Sequence, residues 1–401
     1  MPRKQKRESR AQRRESLLRE AARVAIPTDV DVCVVGGGAA GLVAGIVAAQ
    51  EGARVVVLER DLACGRTILA TGNGRCNFAN RHLDPTLYND PAFVEAVCQE
   101  RWLDDVLTFF ADCGLAWAEE GAGRLYPLSR QAASVRNVLL ERARRACVVL
   151  APAREVTHVA RVAGDFLVRY GEAFGDVPQS MGASRVIVAT GGGAQRIAAD
   201  VGLFVGPTRP VLCPIACTGA DLDKVDGRRI HARATLLRGG RRVASELGEL
   251  LFRDYGVSGI AAFNLSRHAQ PGDELVLDLL PDLDEHQATR LATHTLDGLL
   301  DPTIAAFLAS DTPSAAQAIQ RAKSLSLTIT GLAEQDRAQV TRGGFATATL
   351  DPATLELRGM PGVFACGEAV DVDGPCGGYN LAWAWKSGMV AGRAAGREAR
   401  A

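Results

Sequence analysis

The stretch "DVDVCVVGGGAAGLVAGIVAAQEGARVVVLER", Asp29 to Arg60, constrains this chain more than any other. An apolar run, Val30 to Val35, meets three spaced glycines, then an alanine-rich segment, then a second apolar run from Arg54 to Leu58 that ends at Glu59. The order is strand, glycine turn, helix, strand, terminal acid. Gly36 permits the tight turn, Gly38 lets the backbone approach a pyrophosphate, and Gly41 lets the helix pack on the strand. The start of the helix offers unpaired amides to phosphate. Glu59 stands 18 residues beyond Gly41, where a carboxylate can accept both hydroxyls of an adenosine ribose. FAD and NAD both satisfy this fingerprint.

At 401 residues the chain has room for two or three domains. Lysine plus arginine balances aspartate plus glutamate at 46 each, so no global field draws it to nucleic acid or an anionic membrane. Ten cysteines are scattered without a CxxC pair or zinc-ribbon spacing. They are expected to be reduced thiols in a cytoplasmic protein, and no metal site is expected: Cys213 and Cys217 lack any clustered histidine. The longest apolar runs are strand-sized, short of the roughly 20 residues that span a bilayer. Residues 1–28 form a basic arm, with a net +6 up to Ala25. It has no apolar h-region, and its glutamates argue against a transit peptide. It reads as a surface helix, the other reading being an arm that touches nucleic acid or acidic lipid.

The C-terminal segment chooses between the two dinucleotides. "GMPGVFACGEAVDVDGPCGGYNLAWAWKSGMVAG" gives a short strand, Val363 to Ala365, then Gly367 and Glu368, then Gly377 and Gly378 ahead of a helix that begins at Tyr379 to Leu381. An acid directly after a strand-ending glycine suits a ribityl chain. The helix start, with Tyr379 and Asn380, would aim its positive end at a flavin pyrimidine, where negative charge collects on reduction. That assigns FAD. "SRVIVATGGGA" adds a buried strand and a turn at Thr190 and Gly191. "TGNGRCN" supplies Gly72 and Gly74 for close backbone approach, Asn73 and Asn77 for hydrogen bonds, and Arg75 as a fixed positive charge. Arg66, just upstream, is assigned to the cofactor with them. Cys76 is included as a packed thiol, because Cys64, twelve residues back, is too distant for a disulfide-reductase pair. Trp383 and Trp385, two apart on one helix, are expected to put at most one ring near the flavin.

The motifs "GGGAAG", "TGNGRCN", "GRLYPLSRQAASV", "ATGG", "LFRDYGVSG", "VTRGGF" and "CGEAVDVDGPCGGYNLAWAWKSG" together resemble the BaiN-like flavoproteins, also known as the aminoacetone oxidase family. The resemblance runs from about Asp29 to Gly396. It implies an α/β fold: an FAD-binding, Rossmann-like domain of the two-dinucleotide-fold type, interrupted by a β-barrel and a small helical part. Residues 29–200 and 340–401 are assigned to the first and 201–339 to the inserted substrate or cap domain. The residues support such a split. "GRRIHARATLLRGGRRVASELGELLF" alternates as antiparallel strands do. The segment from Asp284 to Ile329 shows helical periods broken by Pro302 and Pro313, and "TRGGFATATLDPATLELRGMPG" reads as hairpin-like strands.

The resemblance further implies reduction of a carbon-carbon double bond conjugated to a ketone, in steroid enones of the bile-acid kind, with NAD(P)H as electron source. No second GxGxxG is present, so NAD(P)H would bind transiently. Tyr126, Tyr255, Tyr379 and Arg75 are candidate proton donors, with Tyr379 and Arg75 taken as the catalytic pair. After "ATGG", "GGAQRIAADVGLFVGPTRPVLCPI" is shorter than the family's usual segment, which leaves the substrate open. The expected partner is a small molecule, with no nucleic acid. The rival readings are an oxidase producing peroxide, for example from an amine, and a redox-sensing or RNA-associated flavoprotein that uses the basic arm.

Overall fold

The computed structural model describes residues 9–172, 178–200, 205–292, 295–310 and 314–400. The chain forms two compact units, Met1–Arg209 with Thr341–Ala401, and Pro210–Val340. The divisions fall at 209/210 and 340/341, where the sequence suggests 200/201 and 339/340.

In the first unit a seven-stranded sheet runs in the order Val149–Ala151, Val55–Leu58, Asp29–Val35, Pro178–Val188, Asp165–Glu172, Arg154–Val162, with Val363–Ala365 also paired to Pro178–Val188. The first four strands and Val363–Ala365 are mutually parallel, and the last two join antiparallel. Parallel strands covered on both faces need continuous apolar runs rather than alternation. Val55–Leu58 is buried at every position.

Helix Ala39–Gln50 is buried without interruption from Ala40 to Ala48. It lies against the C-terminal helix, Tyr379–Glu398, whose Gly388, Gly392 and Gly396 recur every four residues. A Cβ on those glycines would stand 2.6, 2.4 and 2.8 Å from the carbonyl oxygens of Ala40, Ala44 and Ala48. Backbone therefore touches backbone along matching ridges of spacing four. Because both sets ascend together, the helices run parallel and their positive ends point the same way. Near the start of the C-terminal helix both tryptophans are fully buried. Trp383 Nε1 donates to the Gly367 carbonyl at 3.0 Å and Trp385 Nε1 to the Phe78 carbonyl at 2.8 Å. The two indoles thus tie down two different segments of the unit, because the helix is enclosed on more than one face.

The second unit contains a closed barrel of Ile215–Thr218, Gly256–Ser258, Arg241–Arg253, Arg229–Arg238, Glu274–Asp278 and Leu325–Leu332. Ala232, Ala234, Leu236, Leu250, Phe252, Leu275, Leu277, Leu327 and Ile329 fill its core. The hairpin Arg229–Arg238/Arg241–Arg253 turns on Gly239 and Gly240, both left-handed at φ 56° and 75°, as a two-residue hairpin loop requires. Helices Glu285–Leu291, Pro302–Ala309 and Ala315–Lys323 belong to the same unit. Pro302 begins its helix rather than breaking one: at the first position its missing N–H is not needed, and Asp301 caps the amides of Thr303 and Ile304. Pro313 lies outside the described residues. The expected hairpin after Arg342 is absent as such. The segment makes a single 3₁₀ turn, Thr347–Thr349, and isolated bridges at Leu350/Leu357 and Glu356/Phe364.

The basic arm contains a helix, Arg10–Ala22, started by a reciprocal capping box between Ser9 and Gln12.

Candidate functional site

The glycine fingerprint is enforced by backbone crowding. Gly36 has φ 103°, and a Cβ there would lie 2.4 Å from the Ala189 carbonyl oxygen; at Gly41 it would lie 1.9 Å from the Gly36 oxygen. Gly38 differs, since nothing comes closer to its Cβ position than Thr67 Oγ1 at 3.5 Å. Its missing side chain leaves room outside the fold. Gly38 is also the residue before helix Ala39–Gln50, and no side chain caps that helix. Glu59 accepts from the Gly37 amide at 2.6 Å and the Asp61 amide at 2.7 Å. Burial raises its carboxyl above the ordinary range, and the two amides pull it back only in part.

At the end of strand Pro178–Val188, Gly191 is left-handed, and its Cβ position is 3.7 Å from Glu368 Oε2. Glu368 Oε1 accepts from the Thr341 amide at 2.5 Å, and burial raises its pKa. Gly367, just before it, is pinned by its amide, which donates to Ser387 Oγ at 2.9 Å, as well as by Trp383. Thr190 Oγ1 is buried without a hydrogen-bond partner among the described residues.

The loop Thr71 to Asn77 holds four left-handed residues: Gly72 and Asn73 at φ 54°, Gly74 at 82° and Cys76 at 57°. Asn73 and Cys76 store strain there, since side chains disfavour this region. Burial pushes the Cys76 thiol up to about 11, so it stays protonated at neutral pH. Asn77 Oδ1 is a second buried oxygen without a partner among the described residues. Arg66 is largely exposed, 3.6 Å from Asp61. Arg75, read from the sequence as a fixed positive charge, is held by two neighbours. Its guanidinium meets Glu120 at 2.5 Å and lies 4.5 Å over the Tyr126 ring.

In the C-terminal segment, Gly377 and Gly378 have φ 122° and 98°, and a Cβ on Gly378 would sit 2.4 Å from the Ala79 oxygen. Asn380 spends its amide on the loop it follows, accepting from the Gly374 amide at 2.8 Å and donating to the carbonyls of Gly374 and Pro375. Tyr379 is half-buried, which raises its phenol pKa, and its carbonyl accepts from Tyr88 Oη at 2.8 Å. Tyr255 belongs to the second unit and donates to Glu334 at 2.7 Å. Tyr126 is buried beneath Arg75. Sequence reasoning missed Asn80, 2% exposed, which donates to the carbonyls of Gly377 and Ala122 and so links three site segments. It also missed Thr341. Their nearness to "TGNGRCN" and their place in "VTRGGF" were the available signals.

These features suit a long, polar, flat-ended ligand. Two turns exclude any Cβ, the fingerprint helix start is uncapped, two buried oxygens lack partners among the described residues, and two carboxylates are poorly solvated. The model of the HI0933-like protein Rossmann domain matches residues 30–394. The chain belongs to the HI0933-like family. This HI0933-like protein is an FAD-dependent oxidoreductase. It is 34% identical over 407 residues to the 3-dehydro-bile acid delta(4,6)-reductase of Clostridium scindens, a match covering 90% of this chain and 98% of that one. It is 29% identical over 393 residues to the ribosomal RNA dihydrouridine synthase of Escherichia coli, covering 89% and 96%. The solved 3-ketosteroid-delta4-(5alpha)-dehydrogenase of Rhodococcus jostii shares the fold, with a TM-score of 0.50 and 17% identity over 94% of this chain and 98% of that one. Among the described residues no helix is long and apolar enough to cross a membrane.

Proposed function

We propose that this HI0933-like protein reduces a carbon-carbon double bond conjugated to a ketone in a small, largely apolar, steroid-like compound, with NAD(P)H as the electron source. The observation that carries the reading is the match to the bile-acid reductase over nearly the whole length of both chains. The amides from Gly36 to Gly41 would hold the pyrophosphate of FAD, Glu59 the adenosine ribose, and Glu368 with Thr190 and Gly191 the ribityl side. The loop Gly72 to Asn77 and the start of the C-terminal helix, Gly377 to Asn380, would flank the ring, with Asn77 Oδ1 free to take a hydrogen bond. Bound FAD supplies hydride-transfer chemistry.

Reduction of an enone adds a hydride to the β carbon and a proton to the α carbon. The proton needs an acid that is still protonated at working pH. Tyr379 meets that requirement, because burial raises its pKa and the phenol keeps its proton across neutral pH. It also stands at the first position of the C-terminal helix. The test is anaerobic incubation with NADPH or NADH and a steroid enone, with products read by mass spectrometry. A gain of two hydrogens at the conjugated bond supports the reading. Unchanged enone, with peroxide formed from an amine in air, would replace it by the oxidase reading.

A second reading is favoured by the relatives named for ribosomal RNA. The uracil C5–C6 double bond is also conjugated to a carbonyl, so the same chemistry would serve. The basic arm would then meet phosphate. Dihydrouridine formed in ribosomal RNA by the purified protein, with no turnover of enones, would select it.

A further inference from the structure

Arg75 and Arg130 converge on one oxygen, Glu120 Oε1, at 2.5 and 2.6 Å. Two guanidinium groups on one carboxylate leave a residual positive charge, and among the described residues no other carboxylate pairs with either. Most of the donors remain open. Arg75 uses only Nη2 in a hydrogen bond while its planar group rests over Tyr126. Arg130 uses Nε on Glu120 and Nη1 on the carbonyls of Pro127 and Leu128, which leaves Nη2. Both side chains are partly open to solvent, 43% and 33% exposed. The backbone is strained where it presents Arg130, which is left-handed at φ 56°.

We propose that Arg75 and Arg130 form a fork that receives an oxyanion of a small-molecule reactant, either a phosphate of the nicotinamide donor or the carboxylate of a steroid acid. The fork rests on the reductase reading for the identity of those reactants. Glu120 and the Tyr126 ring set the two guanidinium groups in place, so an incoming oxyanion meets donors already fixed. Paired planar forks are the geometry that binds phosphate and carboxylate most strongly.

The test is calorimetric binding to the FAD-loaded protein, with four probes: 2′,5′-ADP, 5′-AMP, a steroid acid and its methyl ester. Wild type is compared with Arg130→Gln and Arg130→Lys, each checked for flavin content and circular dichroism. Arg130→Gln is expected to weaken at least one anionic probe about tenfold or more and to leave another unchanged. Loss confined to 2′,5′-ADP assigns the donor's 2′-phosphate, loss of 2′,5′-ADP and 5′-AMP together assigns its 5′-phosphate, and loss confined to the steroid acid assigns a substrate carboxylate. Arg130→Lys, which keeps the charge but not the fork, is expected to lie between. Unchanged binding of 2′,5′-ADP, 5′-AMP and the steroid acid in well-folded Arg130→Gln overturns the proposal. Because binding is read without turnover, a protein that binds an anion through Arg130 but never reduces an enone would contradict the reductase reading alone.

Discussion

Burial sets the charge state of Glu368. Its raised pKa means that the folded protein keeps the proton more readily than the unfolded chain. The stability it contributes to the FAD-free protein is therefore present below the ordinary carboxylate range and is lost as pH rises through the raised folded value. Glu368→Gln should raise the thermal midpoint of the FAD-free protein more at pH 8 than at pH 5; equal shifts would mean that burial does not govern this carboxyl. Glu59→Ala should lower the flavin-to-protein ratio after dialysis, and full yellow occupancy would contradict the ribose assignment. Tyr379→Phe should keep flavin and lower kcat by roughly 10²–10⁴, the usual worth of a positioned acid, while an unchanged kcat would transfer the role elsewhere. Gly36 and Gly41 were legible in the sequence because they stand at fixed spacing in one strand–helix–strand motif, although the atom that crowds Gly36 belongs to distant Ala189. The partner of Arg75 was not, since Glu120 is 45 residues away, at the end of strand Trp117–Glu120.

The two parallel helices are the element on which the site depends. Alanine normally stabilises a helix relative to glycine. At Gly392 the sign should reverse, because the new methyl group would meet the Ala44 oxygen at 2.4 Å. Gly392→Ala is expected to destabilise by about 1–3 kcal/mol, the usual penalty of overpacking, measured by denaturant unfolding. A gain in stability would show that the helices are not in backbone contact. Both helices were read from the sequence, the second as beginning at Tyr379 to Leu381, and Tyr379 is its first residue. Their contact was not, although the four-residue spacing of glycine and alanine stands in both segments. The main-chain acceptors of the two tryptophans, Gly367 and Phe78, were equally out of reach of the sequence, because they lie 16 and 307 residues away.

At the scale of the whole molecule, the chain leaves the first unit after Arg209 and returns at Thr341. Short alternating segments with glycine turns, such as Arg229–Arg238 and Arg241–Arg253, are the sequence feature that lies within that excursion. The basic arm is the part whose purpose is least tied to the flavin fingerprint. If it serves RNA, retention should fall steeply with salt and vanish when residues 1–25 are deleted, as a filter-binding series would read. No retention at moderate salt would remove that reading. The central claim is tested most directly by the visible spectrum of the purified protein under anaerobic conditions. A bound flavin should bleach on addition of NADPH or NADH and regain its colour, mole for mole, when a steroid enone is added. A flavin that ignores both nicotinamides, or one that bleaches and recovers only when air is admitted, would contradict it.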